Sequence, residues 1–318
     1  MAQLNTENTR GEQATSDIGW DNPTQRLGQW ELVEKAAEGK LADIYIARPI
    51  GGKVPANSAY AIKVLRPEWE NDPRAVATIR REAQVSRLVS HPRLISILSA
   101  GVQSPPYYVV MPWLTGATLA DRLAREGSLD VPEALWIARQ AADALDALHT
   151  ANWLHGDVKP SNIFISPEGH ATLLDLGFAR QSGQEEPALE RCIAGTGHYL
   201  APEAFNAAFK TDIRSDLYSL GVTLYEMLCG EPPFDGSSAA ELARQHRQAR
   251  PPRLEEAARR LPLDAALLLR QMLAKEPLRR PSTPREVVDR LVRAEIATLA
   301  ERSAWNRLPD TRRCDATK

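Results

Sequence analysis

The stretch HGDVKPSN, His155 to Asn162, gathers three chemically distinct polar groups into one short loop. Asp157 offers a carboxylate suited to orienting a hydroxyl or taking its proton. Lys159, two residues on, offers a cation suited to a γ-phosphate. Asn162 adds an amide oxygen, a hard donor of the kind Mg²⁺ accepts between phosphates. Turn-favouring Asp and Asn are the plain account of any one of these residues taken alone. Together they supply what phosphoryl transfer asks of a protein, which is positioning and charge neutralisation more than covalent chemistry. Gly156, directly before Asp157, brings no side chain.

Upstream, SAYAIKVLRP (Ser58 to Pro67) has strand texture and places Lys63 on a rigid element, where its ammonium can hold α and β phosphates. A flexible ammonium needs a carboxylate to aim it. Asn71-Asp72-Pro73 predicts a helix start with Pro73 in the first turn, and Val76, Ile79, Ala83 and Leu88 follow at helical spacing. Glu82, three residues after Ile79, falls near the inward stripe and is the natural partner of Lys63. Taken singly, the two read as a surface strand lysine and a solvated helix charge beside Arg80 and Arg81. Downstream, NIFISPEGHATLLDL (Asn162 to Leu176) predicts two short strands around a turn at Pro167-Glu168-Gly169. That turn brings Asp175, a second hard oxygen ligand for Mg²⁺, back towards Asn162.

The chain has 318 residues, 43% hydrophobic and 25% charged, enough for about two structural units of ordinary soluble composition. Lys and Arg number 39 against 41 Asp and Glu, a formal charge of −2. No bulk field favours nucleic acid or an anionic membrane, so neither is expected as a partner. Three cysteines (Cys192, Cys229 and Cys314) are too few and too scattered for a metal site and read as a reducing compartment. No signal-peptide core precedes residue 27, and LYSLGVTLYEMLC (Leu217 to Cys229) is too short to span a bilayer. That run predicts a buried helix, and the protein is expected to be cytoplasmic with no membrane span. Residues 1–27 read as a flexible polar lead. Strands and one helix follow to about residue 112: WELVEKAAEGKLADIYIARPI, then LISILSAGV and PYYVVMPW. Helices then dominate to about residue 300, beginning with PEALWIARQAADALDALHTANWL at Pro132, and a polar tail covers 301–318.

The segments AIKV, RREAQ, HGDVKPSN, DLG, APE and DLYSLG occur here in the order and at the spacings of one family. From Trp30 to Ala300 the chain resembles the eukaryotic-like (Hanks-type) serine/threonine protein kinases, particularly their bacterial branch. The resemblance implies an α+β, bilobal fold, with a β-rich N-lobe over about 28–112 carrying one key helix and a helical C-lobe over about 113–300. It implies ATP and Mg²⁺ as cofactors and a protein with a Ser/Thr acceptor as substrate. Lys63, Glu82, Asp157 and Lys159 would be catalytic, and Asn162 and Asp175 would hold the metal. Met111 would guard the adenine pocket, Pro112 to Leu114 would form its hinge, with the Leu114 amide in contact, and Ala61 and Phe164 would sandwich the ring. His155 would be a packed histidine, Asp216 would cap the catalytic loop's backbone, Glu203 would pair with Arg280, and Thr196 would bond back towards Asp157 and Lys159.

Four departures from the family pattern matter. Its three phosphate-loop glycines are here Ala37, Gly39 and Ala42, so only the middle one survives, and a stiffer loop is expected. Leu176 replaces one packing side chain in DLG. Ser86 stands where an apolar residue often packs and is expected to loosen the helix carrying Glu82. Most of the family has an arginine at the position of Gly156, which reads a phosphate on the activation loop. Between Asp175 and Glu203 the only hydroxyl side chains are Ser182, Thr196 and Tyr199, while Glu185, Glu186 and Glu190 add negative charge. The expectation is a kinase whose activity does not need activation-loop phosphorylation, signalled to by a regulatory partner protein. A pseudokinase scaffold or nucleotide sensor is the alternative.

Overall fold

The structure is a computed structural model that describes residues 25–51, 60–183, 197–205 and 211–305. Strand β1 (Gln25–Leu27) turns back onto β2 (Trp30–Glu38), and β2 forms a long hairpin with β3 (Ala42–Pro49), Glu38 lying opposite Asp43 at its closed end. β4 (Tyr60–Leu65), β5 (Ser99–Gly101) and β6 (Tyr108–Pro112) complete an antiparallel sheet in the order β1-β2-β3-β4-β6-β5. Alternation gives this sheet two apolar faces. One packs Ala42, Leu65 and Val109 on helix α1 (Pro73–Leu88) through Val76, Ile79 and Ala83. The other gathers Leu27, Trp30, Leu32, Ala47, Ile62 and Val110. Residues 25–27 therefore do not belong to a flexible lead: Leu27 is buried, and that burial extends the sheet past the expected boundary.

The C-lobe forms around two helices. After β7 (Ala117–Thr118), α2 (Leu119–Glu126) starts with a reciprocal Thr118–Asp121 capping box. α3 (Val131–Thr150) is capped by Asp130, and α4 (Ile213–Cys229), capped by Asp212, is buried along nearly all its length. α4 is the buried helix expected from its apolar run. Leu135, Leu145, Leu148, Leu217, Leu224 and Tyr225 belong to one continuous core. The last helix, Pro284–Trp305, packs along α3 and runs on past the expected boundary at residue 300.

LISILSAGV has the texture of a strand throughout, but only Ser99–Gly101 forms one. Its apolar residues serve another purpose: Leu94 and Ile95 are buried where the N-lobe segment between α1 and β5 leans on Leu173 of the C-lobe. There Ile95 N–H donates to the Leu173 carbonyl (3.0 Å) and Leu173 N–H to the Arg93 carbonyl (2.8 Å). Among the described residues no helix is long and apolar enough to cross a membrane.

Candidate active site

Lys63 sits on β4 opposite Val109 of β6, and Glu82 is one of the buried residues of α1. The Lys63 ammonium lies 2.9 Å from Glu82 Oε2 and 2.8 Å from Asp175 Oδ1. Burial alone would lower the lysine's pKa, but Asp175 and then Glu82 more than offset it, and the ammonium is held above its ordinary range. Burial pushes Glu82 up, with Lys63 opposing. Asp175 goes the other way: burial would raise it, but Lys63 and the Gly177 N–H hold it below the usual carboxylate range. Asp175 is one of two described non-glycine residues with positive φ (60°), and its Oδ1 accepts the Gly177 N–H at 3.1 Å. That bond compensates the strained backbone.

The paired strands β9 (Ile163–Ile165) and β10 (Ala171–Leu173), which follow β8 (Trp153–Leu154), form the expected hairpin. Leu174 N–H donates to the Asn162 carbonyl (2.8 Å), so Asp175 follows directly on a residue bonded to Asn162. Asn162 Nδ2 gives hydrogen bonds to the Asp157 carbonyl and to Asp157 Oδ2, both at 2.8 Å. Lys159 Nζ reaches the same Oδ2 at 2.8 Å. Among the described residues, the buried Asp157 Oδ1 has no hydrogen-bond partner. With its amide nitrogen committed to Asp157, Asn162 has its oxygen left as a metal donor. Asn162 and Asp175 thus form an all-oxygen pair that fits Mg²⁺, which takes one or two protein ligands and completes its shell with phosphate and water.

The loop is held from beneath by Asp216 of α4, whose Oδ2 and Oδ1 accept the N–H groups of His155 (2.7 Å) and Gly156 (2.8 Å). His155 is fully buried, with Nε2 2.9 Å from the Leu174 carbonyl, as a packed histidine would be. Arg280 and Glu203 form a buried bidentate pair at 2.6 and 2.8 Å, joined by Ser215 Oγ at 2.6 Å. Thr196, Glu185, Glu186 and Glu190 lie outside the described residues.

Ala61 pairs with Met111 across β4 and β6, on the same two strands as Lys63 and Val109. Leu114 and Phe164 share an open recess of about 380 Å³ beside the hinge with Trp113, Thr115 and Thr172. Its walls include neither Lys63 nor Asp175. At the turn between β2 and β3, a Cβ on Gly39 would collide with the Ala42 carbonyl oxygen, so the hairpin itself demands glycine there. Ala37 and Ala42 lie in the paired strands β2 and β3, where alanine carries no conformational cost. Arg66 Nη1 donates to the Gly39 carbonyl (3.1 Å) and Trp69 Nε1 to the Lys40 carbonyl (3.0 Å), tying the turn down.

Residues 30–292 match the family model of the protein kinase domain. The chain belongs to the protein kinase family. Its similarity is to bacterial eukaryotic-like (Hanks-type) serine/threonine kinases. It is 34% identical over 279 residues to the serine/threonine-protein kinase PknB of Mycobacterium tuberculosis, covering 85% of this chain and 44% of that one. It is 32% identical over 260 residues to PrkC of Bacillus subtilis, covering 82% and 39%. A probable serine/threonine-protein kinase of Clostridium perfringens is 30% identical over 279 residues, covering 87% and 40%. The chain spans about two fifths of the length of these relatives.

Three contacts of this kinase domain do not follow from the sequence pattern. Ser86, expected to loosen α1, instead accepts the Ile97 N–H on its Oγ at 2.7 Å and fastens the helix to the segment that leads into β5. Arg81, in sequence only a charge beside Glu82, donates to the Gly177 carbonyl (3.1 Å) and links α1 to the DLG turn. Arg180 belongs to no motif, and it lies beside Gly156.

Proposed function

We propose that this chain is an ATP- and Mg²⁺-dependent protein serine/threonine kinase that works without activation-loop phosphorylation. The observation that carries the reading is the asymmetry of Asp157. Asn162 and Lys159 hold its Oδ2, while Oδ1 is buried and, among the described residues, without a donor. A carboxylate held by one oxygen leaves the other to accept a hydrogen bond from a Ser or Thr hydroxyl, to orient it and to take its proton. Lys63, aimed by Glu82, binds α- and β-phosphate oxygens, and Lys159 balances charge on the γ-phosphate. Asn162 and Asp175 would hold Mg²⁺, which would supply positive charge to offset that of the phosphates. Leu114 and Phe164 beside the hinge, with Ala61 and Met111 on the strands, form the adenine end.

A protein substrate, a regulatory partner protein and a cytoplasmic location complete the proposal. The relatives' names support the first, and the sparse cysteines support the last. The test is transfer of label from γ-labelled ATP to generic protein substrates, in parallel with Asp157→Ala and Lys63→Met. Label in the wild type and none in either variant is the expected result. Nucleotide binding without transfer by the wild type would make the chain a scaffold or sensor instead.

A further inference from the structure

Gly156 has φ +79°, and a Cβ built there would stand 2.6 Å from the Phe178 carbonyl oxygen and 3.2 Å from Arg180 Nη1. The position before Asp157 is therefore closed to any side chain, by strain and by contact. The guanidinium that fills the space enters from another strand. Arg180 opens β11 (Arg180–Gln181) and pairs with Leu154 of β8, the residue before His155. It is buried, and its Nε and Nη2 both donate to Thr211 Oγ1, at 3.1 and 2.5 Å. Thr211 immediately precedes Asp212, the N-cap of α4, and α4 carries Asp216, which takes the His155 and Gly156 N–H groups.

These contacts close a ring that runs from the catalytic loop to Arg180, to Thr211, along the first turn of α4 to Asp216, and back to the loop. We propose that Arg180 is a positioning residue for phosphoryl transfer. It supplies from β11 the cation that the loop lacks at Gly156 and, through Thr211, holds Asp157 in place without a phosphate. A buried guanidinium with fixed donors is suited to this because its fork is rigid and always charged. The device rests on the kinase reading above and accounts for how the loop is set when Gly156 cannot read a phosphate. Thr211 has a defined part in it, since its Oγ1 is the acceptor shared by two of the guanidinium's donors.

The experiment compares wild type, Arg180→Met, Arg180→Lys, Thr211→Val and Thr211→Ser. Each protein is treated with phosphatase and shown free of phosphate by intact mass. Steady-state phosphotransfer and thermal unfolding with and without Mg²⁺ and ATP are then measured. Because small displacements of reacting groups cost up to about 10²-fold in rate, kcat should fall about tenfold or more in Arg180→Met and Thr211→Val. KM for ATP should stay within about twofold, since the nucleotide contacts are elsewhere. Arg180→Lys keeps the charge without the fork and should fall between wild type and Arg180→Met. Thr211→Ser keeps the hydroxyl and should restore most of kcat. The double variant Arg180→Met/Thr211→Val should be no slower than Arg180→Met alone, as expected for two residues acting as one link. If Arg180→Met does not fold, Thr211→Val and Thr211→Ser decide. Wild-type kcat in Arg180→Met or Thr211→Val overturns the proposal, as does a wild type that gains activity many-fold only once its activation loop is phosphorylated. A wild type that transfers no label either phosphate-free or phosphorylated fails earlier, at the kinase reading, and the proposal falls with it.

Discussion

Lys63 and Asp175 touch across 112 positions of chain, Nζ to Oδ1 at 2.8 Å, while the same ammonium holds Glu82 at 2.9 Å. One cation therefore serves two carboxylates, one from helix α1 and one from the DLG turn. Removing it leaves two like charges facing each other in a buried site. Lys63→Met should abolish phosphotransfer and lower stability by about 3–5 kcal/mol, the range for breaking a buried pair from one side. Lys63→Met/Glu82→Leu, which removes the stranded carboxylate of the helix, should regain most of that stability and none of the activity. Chemical denaturation beside the labelling assay separates the two effects. A double variant as unstable as the single one would mean that Glu82 is not what the lysine neutralises.

Glu203 and Arg280 form a second buried pair, with Arg280 also 4.7 Å above the Tyr218 ring. Neither touches the catalytic loop, so the pair should matter for folding and not for chemistry. Glu203→Gln and Arg280→Met should each cost about 3–5 kcal/mol in urea denaturation. The folded fraction should keep wild-type KM for ATP. A kcat loss without a stability loss would contradict that assignment.

The phosphate loop gives a prediction in the opposite direction from its apparent degradation. Ala37 and Ala42 stand in strand backbone, and only Gly39 is required by the turn. Ala37→Gly and Ala42→Gly should not tighten ATP binding, and each should cost up to about 1 kcal/mol through chain entropy. Gly39→Ala must displace the Ala42 carbonyl and should raise KM for ATP more than it lowers kcat. Tighter ATP binding in Ala42→Gly would show that the missing glycines do weaken the cradle.

What can be read from sequence follows from how locally each feature is encoded. Helix α1 announces itself through Asp72 and Pro73, whose capping role depends only on neighbouring residues: the Asp72 side chain accepts the Arg74 and Ala75 N–H groups. Asp157, Asn162 and Asp175 are legible because a loop and a hairpin encode their proximity. Ser86 misleads because its partner, the Ile97 N–H, belongs to a segment whose apolar pattern looks like strand but whose Leu94 and Ile95 are used to lean on Leu173 of the C-lobe. Arg180 is invisible because a strand arginine becomes meaningful only when Gly156 and Thr211, distant in sequence, surround it. The residues expected around adenine lie between these extremes: Ala61 is an ordinary core side chain, while Met111, Leu114 and Phe164 are only partly buried.

His246 offers a pH test that is independent of catalysis. It is fully buried, with Tyr218 OH 2.9 Å from Nδ1 and the Phe205 and Phe234 rings packed on it. Burial, reinforced by the neighbouring Lys275 ammonium, pushes its pKa down to about 3. The other charged or titratable groups facing this cluster are His198, close enough to act on His246, and the Arg280–Glu203 pair, which acts on Tyr218. In the unfolded chain His246 takes up a proton near pH 6.5, about the free histidine value, whereas the folded chain leaves it neutral until about pH 3. The unfolded state thus binds more protons throughout this window, and stability falls as pH drops from about 6.5 towards 3, by up to about 1.4 kcal/mol per unit from this group. His246→Asn cannot take up that proton and still presents hydrogen-bonding atoms towards Tyr218. It should be less stable than wild type at pH 8, but its stability should decline less steeply between pH 6.5 and 4. Urea denaturation at half-unit pH steps measures both slopes, and parallel curves for the two proteins would mean that His246 is protonated in the folded state.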